Sequence, residues 1–330
     1  MTPRLCRLAC LAIAAALPAA PSLAADYTIR FASALAPEMN HSRSMELFKK
    51  EVEEQSRGKV AVEVFFGAAL GGTKELLDQV KAGTIQMSVA TTGFMTAYVP
   101  TLGVLNFPFL FKSRETAIAL LDGPFGQEID KMVGAVGFKA LGFEEVGWRH
   151  TVNRLRPITS LKDMAGMKIR LQPIKVHVDT YRLMGANPVA MDFKELYTAL
   201  QQGVVDAMEV NYQNIHDQRF YEVAGYLTEL PLFYDVLGRW INKAYWDKLP
   251  ADLQKVVLNA SAKAVAFQRK VAATEDDEAL QKMIKAGVKF NKVDPAQLDE
   301  FRKATQPVYE KYESEFGKEL MGTVLKAARG

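Results

Sequence analysis

Cysteine is nearly missing from this 330-residue chain: the only two, Cys6 and Cys10, fall within the first ten residues. The remainder can neither form a disulfide nor offer a thiolate as nucleophile or metal ligand. Histidine is scarce too. His41, His150, His177 and His216 stand in no HxxxH or HxH spacing, so no metal site is expected. GxSxG does not occur, and Gly67-Ala-Ala-Leu-Gly71-Gly72 lacks the lysine and the serine or threonine of a phosphate loop. With no nucleophile and aligned base in view, no catalytic residue is named and no cofactor is called for. The acidic doublets Glu144-Glu145 and Asp276-Asp277 are read as solvated surface. No apolar run of roughly 18 residues exists, which excludes a polytopic membrane protein. An excess of one charge is missing as well: 41 basic against 38 acidic residues gives a net of +3, with no basic field for nucleic acid.

What is present is the composition of a folded protein, 49% hydrophobic and 24% charged, which is incompatible with intrinsic disorder. Its start reads as a signal peptide spanning 1–24. Arg4 and Arg7 precede an apolar run from Leu8 to Leu17, and Ser22-Leu23-Ala24 supplies the small-x-small cleavage pattern. At about ten residues the run is too short to span a bilayer. Cys6 lies before it and Cys10 near its start, where a lipid anchor would need a cysteine behind the run, so the protein is not expected to be membrane-anchored. Without residues 1–24 the charge nearly cancels. An exported chain without disulfides must rest on a large core, and the remaining length suits two units of about 150 residues.

The first half alternates strands and helices. Strands are expected at 27–31, 60–65 and 85–91, and helices at 42–57 and 73–82, with Thr73 as N-cap and Gly83 closing. This rhythm implies parallel strands with helical crossovers. The segment 105–111 is too aromatic for an exposed loop. Helices near 114–121 and 126–136 follow, then two strands at 139–143 and 148–153. A second unit repeats the grammar: strand 167–171, helix 175–184, strand 188–191, a helix opening at Asp192 with Glu195 in capping-box register, and strand 204–210. From Pro250 to about Ala286 neither proline nor glycine interrupts a helix-favouring composition. One continuous helix there would run about 55 Å, longer than one unit is wide, and must bridge both.

Arg170 draws attention within Met167-Lys-Ile-Arg170-Leu-Gln172. It sits near the C-terminal end of a parallel strand, where open α/β sheets present ligands. Its planar fork matches a carboxylate with two parallel hydrogen bonds, whereas a surface ion pair is the plainer alternative.

Taken together, Met167-Lys-Ile-Arg170, Leu183-Met-Gly-Ala-Asn187-Pro-Val, Phe193-Lys-Glu-Leu-Tyr-Thr-Ala-Leu-Gln-Gln-Gly-Val-Val-Asp206, Phe220-Tyr-Glu-Val-Ala-Gly-Tyr226, Trp246-Asp-Lys-Leu-Pro250 and, upstream, Phe107-Pro-Phe-Leu-Phe111 make the chain identifiable. From about Tyr27 to its end it resembles the solute-binding proteins of tripartite ATP-independent periplasmic (TRAP) transporters, the dicarboxylate-receptor (DctP) type. The resemblance implies an α/β, two-lobed periplasmic binding protein fold, a ligand cleft between the lobes and a long helix spanning both. It places an N-terminal lobe at 25–146 with a returning segment near 236–260, and a C-terminal lobe at 147–235 with 261–330. It implies capture of a small organic acid in the periplasm and delivery to TRAP membrane subunits by a monomer.

The same resemblance puts the carboxylate-clamping arginine on Arg170, a second cleft arginine on Arg149 (Arg154 competing) and the ligand-packing aromatic on Phe193. The usual asparagine position is Val210, and Asn211 is the candidate replacement. Thr73 and Thr91 stand where sialic-acid-binding members carry acids, so that ligand is not expected. Glu38 and His41 could add polar contacts, although solvated loop residues is the plainer reading. Phe193, Tyr212 and Trp240 tilt the ligand toward a partly apolar acid. A receptor presenting its ligand to a sensor kinase, or an exported enzyme using the same cleft, are the alternatives.

Overall fold

The computed structural model describes residues 25–329; the expected signal peptide lies outside them. Nine strands form one mixed sheet: β1 (Tyr27–Ala32), β2 (Val60–Phe65), β3 (Met87–Thr91), β4 (Phe138–Asn153), β5 (Lys168–Leu171), β6 (Asn187–Ala190), β7 (Ala207–Val210), β8 (Tyr226–Asn242) and β9 (Lys289–Lys292). Their order is β2-β1-β3-β8-β4-β7-β5-β6, with β9 beside β8. The pairs β1·β2, β1·β3, β5·β6 and β5·β7 are parallel, as the strand–helix rhythm requires. The α/β, two-part architecture is thus present as two small parallel groups joined through two long strands.

Those two strands differ from expectation. Residues 139–143 and 148–153 are not separate strands but parts of the 16-residue β4, which pairs antiparallel with the 17-residue β8 along nearly its whole length. Register shifts between Ala140 and Phe143 and between Glu145 and Gly147 let the pair bend. Gly142 (φ 129°) and Gly147 (φ 98°) adopt backbone angles open to glycine at these two places, so the strand kinks without ending.

The remaining elements follow their sequence signals closely. The first helix is Asn40–Gln55, and its inner face carries Met45, Phe48 and Val52. In helix Thr73–Ala82 the N-cap is Gly72, whose N–H is held by Glu75 Oε2, and Thr73 is the first helical residue instead. Gly83 closes that helix at φ 80°. Asp192 opens a short 3₁₀ turn, Phe193–Glu195, before helix Leu196–Gln201; its side chain accepts from Lys194 N, not in a capping box with Glu195.

Residues 251–285 form a single 35-residue helix, about 52 Å long. It does bridge. Ser261 Oγ donates to Leu141 O on β4, Gln268 bonds Asn40 and the Glu145 backbone, and Asp276 accepts from Gln213 N and Asn211. Among the described residues no helix is long and apolar enough to cross a membrane.

The closing helices correct part of the domain expectation, which assigned 261–330 to the second lobe. Val308, Tyr309, Phe316, Met321 and Val324 pack in one core cluster with Leu102, Leu105, Phe107 and Leu120 of the first. Tyr309 stacks on Phe107 at 4.4 Å and donates to Pro108 O. The same helix, Pro307–Phe316, also sends Lys311 and Tyr312 to Asp179 of the second unit, so it straddles both.

Asp276 sits partly buried on the long helix. Burial is the main cause pushing its pKa up to about 7, against opposing hydrogen bonds from Gln213 and Asn211. The folded state therefore holds this proton more tightly than the unfolded chain, where a carboxyl titrates near ~4. Stability present at acid pH is lost as pH rises toward about 7. Asp276→Asn keeps an acceptor oxygen and removes the titration. It should flatten the urea-unfolding profile between these limits and gain on the order of 2 kcal/mol at pH 8, discounted for partial exposure.

Candidate functional site

The C-terminal ends of the parallel strands point toward one another across the middle of β4 and β8, and a cavity lies there. The chain leaving β1 contributes Ser33, Ala34 and Leu35, β3 contributes Val89, Ala90 and Thr91, and Thr73 and Phe94 complete the first side. Opposite stand Arg170, Gln172, Phe193, Val210 and Asn214, while Val146 and Arg149 of β4 and Leu237 of β8 form the floor. Ligands at strand C-termini are the rule for such sheets. The two sides touch around this space: Thr91 Oγ1 donates to Gln172 Oε1 at 2.5 Å, and Lys194 pairs with Glu75 at 3.1 Å.

Arg170 is 1% exposed. Its Nε and Nη2 both donate to the Met191 carbonyl, at 3.0 and 2.8 Å, which fixes the plane of the guanidinium. This occupies the side-on edge of the fork and leaves the Nη1–Nη2 edge without a partner among the described residues. No carboxylate of those residues pairs with it. The Phe193 ring lies 5.8 Å from its Cζ. Burial first, then the neighbouring Arg149 charge, pull its pKa down to about 10. A charge so placed lacks a counterion.

Arg149 is buried beside it but in the opposite condition. Its Nε and Nη2 bind Glu209, Nη2 also donates to the Glu209 backbone oxygen, and Nη1 reaches Asp235 at 2.7 Å. Burial raises the Glu209 pKa against the pull of Arg149. Asp235 Oδ2 further accepts from Gln172 Nε2 at 2.8 Å. Arg149 thus lines the cavity as a neutralised group, whereas the competing Arg154 lies half exposed on Asp206.

The other expected residues divide. Thr73, Thr91 and Phe193 line the cavity; Asn211 does not. It stands at the N-cap position of helix Tyr212–Asp217 without a capping hydrogen bond, and its amide binds Asp276 of the long helix at 2.9 Å. Three residues further on, Asn214 reaches the cavity instead, with a buried Oδ1 that has no partner. The signal that could have found it is helical spacing after a capping residue, which brings position 214 back to the face of 210 and 211. Tyr212 and Trp240 lie elsewhere: Tyr212 stacks on His150 and bonds Glu229, and Trp240 is core, donating to Ala90 O.

Glu38 is exposed, while His41 is buried in the first helix and lines the cavity. Its Nδ1 is 2.8 Å from Glu144 Oε2, and the other Glu144 oxygen accepts from Arg239 and Ser44. The doublet Glu144-Glu145 is therefore not solvated surface. Both side chains are buried and paired, Glu145 with Arg114. No trio of metal-ligating side chains is assembled among the described residues.

Two α/β groups meeting over a cavity, with crossover strands as its floor and a free buried arginine on one wall, define a solute-binding receptor. The chain belongs to the bacterial extracellular solute-binding proteins of family 7, DctP, which match residues 31–315. It is thus a receptor of the TRAP type. A solute-binding protein of Verminephrobacter eiseniae is 32% identical over 304 residues, covering 92% of this chain and 90% of that one. The sugar acid binding protein DctPAm of Advenella mimigardefordensis, solved with galactonate, superposes with a TM-score of 0.89 at 31% identity, covering 91% and 97%. A TRAP periplasmic solute-binding protein of Sulfurospirillum deleyianum, solved with succinate, gives 0.87 at 31% identity, covering 91% and 98%.

Proposed function

We propose that this chain captures a small carboxylate between its two lobes, with the carboxylate on the free Nη1–Nη2 edge of Arg170, and delivers it to TRAP membrane subunits. The observation that carries the reading is a fully buried arginine whose outward edge meets no acid among the described residues. A carboxylate there restores the missing counterion and completes a bidentate pair. Phe193 packs beside it, Thr73 and Asn214 supply polar contacts, and Thr91 lines the cavity with its hydroxyl committed to Gln172. Arg149 acts one step back, holding Glu209 and Asp235 in place; Asn211 has no contact role. In this reading the lobes are 25–146 with 236–260, and 147–235, with the last helices clasping both. Residues 1–24 export the chain to the periplasm, where it works as a monomer without cofactor or catalysis. Relatives solved with galactonate and with succinate support carboxylate capture.

The test is a thermal-shift screen of the purified protein against an organic-acid library. A ligand present at about a hundred times its Kd stabilises the folded state by ~2.7 kcal/mol, a shift of several degrees. At least one carboxylate should raise Tm in the wild type and leave Arg170→Gln unmoved. Failure of every acid, or equal shifts in both proteins, would sink the reading.

A further inference from the structure

We infer that the ligand is a monocarboxylate with an apolar body and at most a hydroxyl or oxo group near its carboxylate, rather than a dicarboxylate or a polyhydroxy acid. The inference rests on the carboxylate reading above and sharpens it. Its first support is charge. Arg170 is the one cation facing the cavity without a counter-charge among the described residues. Arg149 is matched by Glu209 and Asp235, and Arg239 by Glu144, which also holds His41. One entering carboxylate satisfies Arg170; a second would be buried with no cation to meet it, and an unpaired buried charge is strongly disfavoured.

The second support is the wall beyond Arg170. Leu35, Val89, Phe94, Val146, Val210 and Leu237 present hydrocarbon to the cavity. The polar groups among them are mostly committed: Ser33 Oγ accepts from Leu35 N, Thr91 donates to Gln172, and Gln172 donates to Asp235. What remains is the Asn214 amide, whose buried Oδ1 has no partner among the described residues, the Thr73 hydroxyl, the Ser33 O–H and His41 Nε2. Such a wall offers fewer partners than a sugar acid's hydroxyls can use. A sugar acid would leave hydroxyls facing carbon, while an aliphatic or aromatic tail gains from burial there.

Titration calorimetry of the purified protein with 4-methyl-2-oxopentanoate, phenylpyruvate, succinate and galactonate, repeated on Arg170→Gln, tests this. At least one apolar monoacid should bind about a hundredfold more tightly than succinate or galactonate and lose that affinity in the variant. If succinate or galactonate binds as tightly as the monoacids, or more so, and depends on Arg170, the inference falls while the receptor reading stands. If no acid binds in an Arg170-dependent way, both fall.

Discussion

Replacing Arg170 with glutamine is expected to weaken carboxylate binding by at least about a hundredfold, read by titration calorimetry. Truncating one partner of a desolvated charge pair typically costs on the order of 3–5 kcal/mol, or two to three and a half decades of affinity. The geometry makes the effect local. Met191 O holds the Nε–Nη2 edge, so the guanidinium is already oriented when the ligand arrives and loses little freedom on binding. The same substitution should leave the unliganded protein as stable as the wild type, or more stable, because it removes a buried charge that pairs with no acid among the described residues. Affinity and stability thus part company, which a merely structural arginine would not permit. Arg170→Lys keeps the charge but loses the fork, and belongs between the two. Wild-type affinity in Arg170→Gln would refute the clamp.

Arg149 should behave in the reverse way. Arg149→Met strands Glu209 and Asp235, both buried, and is expected to cost on the order of 3–5 kcal/mol in urea unfolding. The loss has a pH signature. Without the arginine, burial and the mutual repulsion of the two acids push at least one carboxyl pKa further above its unfolded value. That carboxyl then favours the folded state only while protonated, so the deficit should be smaller at pH 5 than at pH 8. Adding Glu209→Gln to Arg149→Met should recover part of the stability. A variant as stable as the wild type at pH 8 would show that the cluster does not hold the floor of the cavity.

These two arginines also mark how far the sequence could be read. The place of Arg170 at the cavity is legible because its neighbourhood is local: a four-residue strand, its C-terminal end and the following proline. The neutralisation of Arg149 is not, because Glu209 and Asp235 lie 60 and 86 residues away and meet it only through the pairing of β4 with β7 and β8. The long strand β8 is hard to read from sequence for a related reason. Buried on nearly every position and interrupted by Pro231 and Gly238, it shows no alternation to reveal a strand. Period-two strands such as β1 and β2, and the uninterrupted 35-residue helix, were plain because their signals are repeated along the chain. Asn211 is an attractive candidate by its place beside the family position, but its side chain turns to Asp276 of the long helix.

The kinked strand β4 carries one further implication. Gly147, where the ladder slips, stands between Val146 and Arg149, which form the bottom of the cavity. The bend of the sheet and the surface a guest rests on are therefore built from neighbouring backbone. A substitution there that reshapes the resting surface is expected to alter the bend as well, so selectivity and the set of the two lobes are expected to drift together during evolution.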